Sequence, residues 1–361
     1  MEQRNSQERK RQIIMFSIVT TQKILEKLYL EDSVWGNIVA QTKCFYLKLD
    51  TDWWEEDDDS PLMQLSNSQA YIKDGKDIFD NLETHPEIIA NFPTSAFILD
   101  IKPEEAAMLQ KMYGVIVQSY ERLDDAILTT VSRSSIDVAA GETGVGWNDV
   151  LTGVKDLPTN AIIINDRNLF SNDQIIKNPD GSIKERRLNG VDNISNVLDL
   201  LLPRTLETDF HVLIVCEKKP TNHLTVKELI NQLNKIKKIL DRPYNVTIEL
   251  LAVTSGSQVY RETHNRRILT NYGLITFDHA VNAFVGNKSR EDQLIHMHKL
   301  FSHQPIKDIP SYEKNHSRYI KTFKDYRNVV IANPTLNEHE FAKNGRDGMK
   351  FSETEHRMII Y

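Results

Sequence analysis

The chain has 361 residues, of which 40% are hydrophobic and 26% are charged, and its formal net charge at pH 7 is −7. Such a chain can bury a large core without disulfides, and its negative balance excludes attraction of the whole surface to nucleic acid. Its two cysteines, Cys44 and Cys216, form no C-x-x-C pair, which argues against a cysteine-rich zinc site and predicts two buried thiols.

The amino-terminal residues favour a cytoplasmic location. Residues 1–10 are mostly charged or polar, and the apolar stretch after them has no signal-peptide cleavage pattern. No window of the sequence approaches the ~18 continuous apolar residues of a membrane span. We therefore expect a cytoplasmic protein without a transmembrane segment.

Residues 1–60 are expected to form a helical amino-terminal region that ends in an acidic loop. Apolar residues recur at helical spacing over residues 7–30. Seven acidic residues then fall within ten positions, together with Trp53 and Trp54. This run is either a solvated loop or a segment that contacts a partner, and the paired indoles keep the second interpretation open.

Residues 61–153 are expected to form a mixed α/β region that ends in a linker. The residues at 96–101 and 114–117 have the apolar composition of strands, and proline and two glutamates begin a predicted helix at 103–112. The glycine-rich segment at 141–147 lacks the Lys-Ser/Thr pair that a phosphate-binding P-loop requires. We interpret this segment as a flexible linker.

Residues 154–345 alternate strands and helices regularly, and residues 346–361 are expected to be a tail. The expected fold class is therefore α/β, with a mixed sheet covered by helices in this domain. Strands are predicted at 161–164, 210–216, 246–253, 268–277 and 329–331, helices at 191–202, 225–240 and 297–301, and a turn, either a hairpin tip or an exposed loop, at 178–181.

One short segment has the spacing of a catalytic motif. His264, Arg266 and Asn271 occupy the three functional positions of the H-x-K-x-x-x-x-D motif of phospholipase-D enzymes, in which His attacks phosphorus, Lys holds a phosphate oxygen and Asp orients the His. Arg266 retains phosphate binding, because a guanidinium can pair with phosphate through two hydrogen bonds. Asn271 lacks the charge that stabilises an imidazolium. We expect Arg266 and Arg267 to bind phosphate, and His264 and Asn271 to be the residues of any catalysis.

The segment from His264 to Phe284 resembles the carboxyl-terminal domain of microtubule-interacting-and-trafficking (MIT) domain proteins. The pattern of that domain is H-[DN]-R-x-I, then N-x-G, a strand and a distal Phe, and residues 264–268, 271–273 and Phe284 match it. The resemblance implies a phospholipase-D-like domain that is non-catalytic, dimerises and binds phospholipid head groups. The helical trafficking module of that family is not recognisable at the amino terminus.

An internal similarity suggests a second copy of the motif. Residues 165–172 match residues 264–271 at the arginine, the aliphatic residue, the hydroxyl and the final asparagine. Phospholipase-D domains contain two half-repeats, so the similarity is either a duplication or a coincidence. In a duplication, Asn165 would replace the nucleophile, and Arg167 and Arg266 would converge on one anionic ligand.

The sequence also contains a group of histidines and a basic segment. His296, His298 and His303 are close in sequence, but spacing completes no usual zinc shell, so they are interpreted as surface helix residues and no metal or cofactor is expected. A basic segment with interleaved aromatic residues is either an ordinary amphipathic helix or a contact for nucleic acid or an anionic surface. Its basic residues are Lys314, Arg318, Lys321, Lys324 and Arg327.

These observations favour a protein that binds a phosphate-bearing ligand, either nucleic acid or anionic phospholipid, and that forms a homo-oligomer or contacts a protein partner through its amino-terminal region. One alternative is a metal-independent phosphodiesterase or nuclease with His264 as nucleophile. Another is a structural or regulatory subunit of a larger assembly, such as a bacterial antiviral defence complex. If the protein has none of these three functions, His264 is a polar loop residue, and Arg266 and Arg267 are solvated charges.

Overall fold

The computed structural model describes residues 16–50, 59–129, 133–217, 224–253, 264–299, 330–332 and 356–360. Their strands form two large sheets and two small two-stranded ribbons, joined by helices. The expected α/β class is confirmed. Among the described residues, no helix is both long enough and apolar enough to cross a bilayer.

The first sheet has five parallel strands in the order β3-β2-β1-β4-β5. The chain winds outwards from β1 to β3, then returns to place β4 and β5 on the other side of β1. Its elements are β1 (Ser17–Thr21), α1 (Gln22–Leu30), α2 (Val34–Gln41), β2 (Cys44–Lys48), α3 (Pro61–Asn67), β3 (Tyr71–Asp74), α4 (Lys76–Leu82), a 3-10 helix (Pro86–Asn91), β4 (Ser95–Leu99), α5 (Pro103–Tyr113) and β5 (Ile116–Ser119).

The amino-terminal region differs from the helical prediction. Residues 17–21 form a strand, and the helix begins only at Gln22, because the side chain of Thr21 accepts the N–H of Ile24 as a helix cap. Apolar residues continue through the strand into the helix, so their spacing hides the boundary. β1 also pairs directly with β4, which removes the predicted domain boundary at residue 60.

The second sheet has eight strands among the described residues, in the order β17-β11-β10-β7-β12-β13-β16-β6, and its parallel pairings are β11 with β10 and β10 with β7. The crossover helices α8 and α9 connect the parallel strands. Its elements and the ribbons are α6 (Ala126–Thr129), β6 (Arg133–Val138), α7 (Trp147–Val150), β7 (Ala161–Asn165), β8 (Gln174–Lys177), β9 (Ile183–Arg187), α8 (Asn189–Leu201), β10 (Phe210–Glu217), α9 (Val226–Leu240), β11 (Val246–Val253), β12 (Arg267–Thr270), β13 (Gly273–Phe277), β14 (Phe284–Val285), β15 (Lys288–Ser289), β16 (Gln293–Lys299), β17 (Val330–Ala332) and α10 (Arg357–Ile360).

The predictions for this sheet are confirmed with four corrections. The segment predicted as one strand at 268–277 forms two antiparallel strands, β12 and β13, with a turn between them. The segment predicted as a helix from residue 297 is part of strand β16, in which buried positions alternate with partly exposed ones. Strand β6 belongs to the sheet although it precedes the predicted boundary at residue 154. The predicted tail also contributes to the core, because Met358 is fully buried and His356 Nε2 lies 2.9 Å from the carbonyl oxygen of Ile162.

The two sheets share one buried core, and the turn between β12 and β13 joins them. The hydroxyl of Tyr272 donates to the carbonyl of Ser95 (2.5 Å) and accepts the N–H of Ile116 (2.8 Å), both in the first sheet. The predicted burial of Cys44 and Cys216 is confirmed, and desolvation raises the pKa of both thiols.

Candidate functional site

The carboxyl end of β7 is the point at which the strand order of the second sheet reverses. The chain first adds β10 and β11 on one side of β7, then places β12 on the other side. In open α/β sheets, ligands bind outside the carboxyl ends of strands at such a point. Here Asn165 at the end of β7 pairs with Arg267 at the start of β12, so both predicted motifs reach this edge.

Asp166 fixes the loop that follows β7. Its side chain is fully buried, Oδ1 accepts the N–H of Asn168 (2.8 Å), and Oδ2 accepts the N–H of Val281 (2.9 Å). The second bond ties this loop to the segment after β13. Burial raises the pKa of Asp166, while these two N–H groups and then the guanidiniums of Arg266 and Arg167 oppose the rise.

Arg167 and Arg266 therefore lie near the same carboxylate, although Arg167 follows β7 and Arg266 precedes β12. Both side chains are partly buried. The Nη1 atom of Arg266 donates to the carbonyl of Asp278 (2.6 Å), which holds the guanidinium at the edge of the sheet. Within the described part of the chain, its Nε atom is buried without a hydrogen-bond partner.

His264 is exposed on the turn just before Arg266. Asn165 holds this turn, because its Nδ2 donates to the carbonyl of Asn265 (2.5 Å). Its Oδ1 is a second buried atom at this edge that has no partner among the described residues. Among the described residues, no carboxylate is hydrogen-bonded to His264, so they supply no partner of the kind that activates a nucleophile.

Asn271 is not placed to orient His264. The four residues of β12 lie between them and span roughly 13 Å at the rise of an extended strand, so the two residues lie at opposite ends of β12. The amide of Asn271 is fully buried and belongs to the junction between the sheets. Its five hydrogen bonds, of 3.0–3.2 Å, involve Thr159, Asn160, Ala161 and Gly114.

Arg267 is also a structural residue. Its side chain is only 7% exposed, and Nε donates to the carbonyl of Asn265 (3.3 Å). The sequence predicted an accessible guanidinium at Arg267 beside Arg266. The buried position of Arg267 does not provide one.

The structure does not support the duplication of residues 165–172 and 264–271. The first segment begins at the end of β7 and continues as a turn, whereas the second begins in a turn and continues as β12. Equivalent positions thus have different backbone conformations. The two segments meet because β7 and β12 are antiparallel neighbours.

Other predicted residues lie elsewhere or outside the described residues. Three predictions fall outside the described residues, namely the basic segment from Lys314 to Arg327, the Trp53-Trp54 pair and His303. His296 and His298 lie on β16 with their ring centroids 6.2 Å apart. The described residues contain no group of three His, Cys, Asp or Glu side chains that would hold a metal ion.

Asp166 is the central residue that the motif search missed. The available signal was its position, since Asp166 follows Asn165 directly after the continuously apolar residues 161–164. Comparison with known proteins adds no assignment: no protein-family model matches this chain, and no curated protein matches it. What the chain binds is therefore inferred from the geometry at the end of β7.

Proposed function

We propose that this protein binds a phosphate-bearing ligand at the carboxyl end of β7, with Arg266 as the main contact and Arg167 beside it. The observation that carries the proposal is that Arg266 and Arg167 both lie at the reversal point of the sheet, where the positive charge of each acts on Asp166. A guanidinium held in place by one hydrogen bond loses little further freedom when it pairs with a phosphate.

The buried carboxylate leaves Arg266 available to a ligand. Both oxygens of Asp166 accept backbone N–H groups, and Arg266 is held by a carbonyl rather than by a carboxylate. The orphaned Nε of Arg266 is a donor that an incoming oxyanion would satisfy. The resemblance of the segment from His264 to a phospholipase-D-like motif favours phosphate as that oxyanion.

The test is a binding titration with labelled single- and double-stranded DNA and RNA, and with vesicles made with and without phosphatidylserine. We expect Arg266→Ala to weaken binding of the preferred probe about tenfold to a hundredfold, the usual effect of losing a hydrogen bond to a charged group. Arg204→Ala is the matched control, because it also removes one arginine. Arg204 is exposed, and its Nη1 atom lies 3.5 Å from Oδ1 of Asp199. Equal binding by wild type and Arg266→Ala, or binding to none of these probes, would refute the proposal.

Phosphoester cleavage is the second candidate, because the exposed His264 lies at the same edge as both arginines. The same DNA and RNA are incubated with wild type and His264→Ala, with and without a chelator. Binding alone predicts intact probes and equal affinity in both proteins. Cleavage that resists the chelator and disappears in His264→Ala would establish a metal-independent phosphodiesterase instead.

A further inference from the structure

A groove of about 620 Å³ separates the ribbon of β8 and β9 from helix α9. We call it the hairpin groove. In the ribbon, Lys177 pairs with Ile183 and Ile175 pairs with Arg186, so cross-strand neighbours line the same wall. The tip of this hairpin is the predicted turn at residues 178–181.

The opposite wall is the polar side of α9. The helix buries Leu229, Leu233 and Ile236 against the core. Asn231, Lys235 and Lys238 recur at the spacing of one helical turn on another side of the helix, where all three are exposed and line the groove. Core packing of the helix therefore fixes which lysines face the ribbon.

Positive charge dominates the hairpin groove. Four lining side chains are cationic, namely Lys177, Arg186, Lys235 and Lys238. The acidic lining residue, Glu228, already accepts hydrogen bonds from the backbone N–H and hydroxyl of Thr225 at the start of the helix. In the described part of the chain, none of the four cations has an ion-pair partner.

This distribution is notable because the protein carries a formal net charge of −7. Cations that face one another across a groove repel, and an anion between them removes that repulsion. Two walls of cations fit an elongated ligand with repeated negative charges better than they fit one isolated anion.

We propose that the hairpin groove binds the sugar–phosphate backbone of a single nucleic-acid strand. The side chains of Asn231, Gln232 and Asn234 add amide donors and acceptors for phosphate and sugar. The lining residues include no aromatic side chain, so the groove offers no surface on which bases would stack. Binding is therefore directed at the backbone and independent of sequence. We expect the narrower single strand to bind more tightly than a duplex, because a groove of about 620 Å³ has room for only a short length of one strand.

The test compares two double variants by fluorescence anisotropy with a labelled oligothymidylate over a range of salt concentrations. Lys235→Ala with Lys238→Ala removes two groove cations. The control, Lys23→Ala with Lys27→Ala, removes two exposed lysines from α1 and changes the net charge equally. We expect at least about tenfold weaker binding for the groove variant and a change within about twofold for the control.

The salt dependence gives a second readout. Four phosphate contacts to a single strand correspond to a slope of log affinity against log salt of roughly −3, and the groove variant should retain roughly half of it. A third variant, Lys177→Ala with Arg186→Ala, should have the same effect from the other wall. These substitutions affect exposed side chains, so thermal unfolding should match the wild type.

Three results would overturn this inference: equal losses in the groove and control variants, an unchanged salt slope, or tighter binding of duplex than of single strand. Arg266→Ala, measured in the same assay, separates the two proposals. If it alone abolishes binding while the groove variants bind normally, the groove fails and the site at β7 stands. If only the groove variants lose affinity, the groove stands on its own.

Discussion

At the residue scale, Asp173 shows how a buried carboxylate positions the elements around the site. Its oxygens accept the N–H groups of Gly190 (2.8 Å) and Val191 (3.1 Å), which have no partners within the first turn of α8. Burial raises the pKa of Asp173 to about 6, Asp192 adds to the rise, and the two N–H groups and Arg290 oppose it.

This pKa predicts a pH-dependent stability. The folded value lies above the ordinary one, so the contribution of Asp173 is fully present below about pH 4 and is lost as pH rises through 6. We expect that loss to be on the order of 3 kcal/mol, from the size of the shift. Urea unfolding at several pH values from 4 to 7 gives the free energy of unfolding of wild type and of Asp173→Asn. We expect this free energy to fall more steeply with rising pH in the wild type than in the variant.

Asp173→Asn should be less stable than wild type at low pH, because the amide offers one acceptor where the carboxyl group offers two. Asp80→Asn is the control, since Asp80 lies on the exposed side of α4 and should leave the wild-type slope unchanged. The same slope in wild type and in Asp173→Asn would contradict the assignment.

Single residues of the site were only partly predictable. The motif spacing predicted Arg266 and the internal similarity predicted Arg167 as phosphate ligands, and both lie near the ends of the neighbouring strands β7 and β12. The same spacing misassigned Asn271, since a count of residues does not reveal that a strand carries the side chain to the opposite end of the sheet. Asp166 escaped notice because the loop contact that buries it involves Val281, which is distant in sequence.

At the element scale, helix α8 packs directly on the loop that carries Asp166 and Arg167. A Cβ atom on Gly190 would lie 2.2 Å from the carbonyl oxygen of Leu169 and 3.0 Å from the ring of Phe170. Neither the backbone oxygen nor the packed ring can move away without shifting the loop. The position of the first turn of α8 therefore helps to determine the geometry at the end of β7.

Gly190→Ala tests this coupling. We expect a loss of about 1–3 kcal/mol in the free energy of unfolding, the usual cost of overpacking, and weaker binding of the phosphate-bearing ligand because the loop shifts. Chemical denaturation and the ligand titration measure the two effects. Gly146→Ala is the control, because a Cβ atom there meets no atom within 4 Å. If the two variants are equally stable and bind equally, the loop is not held by α8.

The predictability of elements depended on their burial. The parallel strands β7, β10 and β11 are largely buried, so their sequences are predominantly apolar and predict strands, although β11 also buries Thr247 and Glu249. The residues of β1 and the last residues of β16 were predicted as helix, because short apolar segments next to a helix or with mixed polar positions do not distinguish the two periods. Their sheet neighbours determine their conformation.

At the scale of the whole molecule, the division into domains could not be read from composition. The first sheet depends on pairing between β1 and β4, which are far apart in sequence, and the second sheet recruits β6 from before the predicted boundary. The junction between the sheets is polar and specific. It depends on the turn between β12 and β13, in which Asn271 bonds to the carbonyl of Gly114 (3.0 Å) and Tyr272 bonds to two backbone groups.

Tyr272→Phe should destabilise both sheets together. The substitution preserves the buried ring but leaves the carbonyl of Ser95 and the N–H of Ile116 without their partner, and each unsatisfied buried group costs about 1–3 kcal/mol. Tyr120→Phe is the matched control, because its hydroxyl makes one exposed contact of 3.4 Å to Glu31. We expect a lower unfolding midpoint for Tyr272→Phe and a nearly unchanged one for Tyr120→Phe.

Hydrogen exchange can show whether the turn between β12 and β13 stabilises both sheets or only one of them. If the turn unites the sheets into one cooperative unit, the slowest-exchanging amides of β4 and of β7 should lose protection by the same free energy in Tyr272→Phe. The reason is that these strands lie in different sheets, so a purely local defect would affect them unequally. A loss confined to the first sheet would mean that the two sheets unfold independently, and that the site at β7 does not depend on the first sheet for its stability.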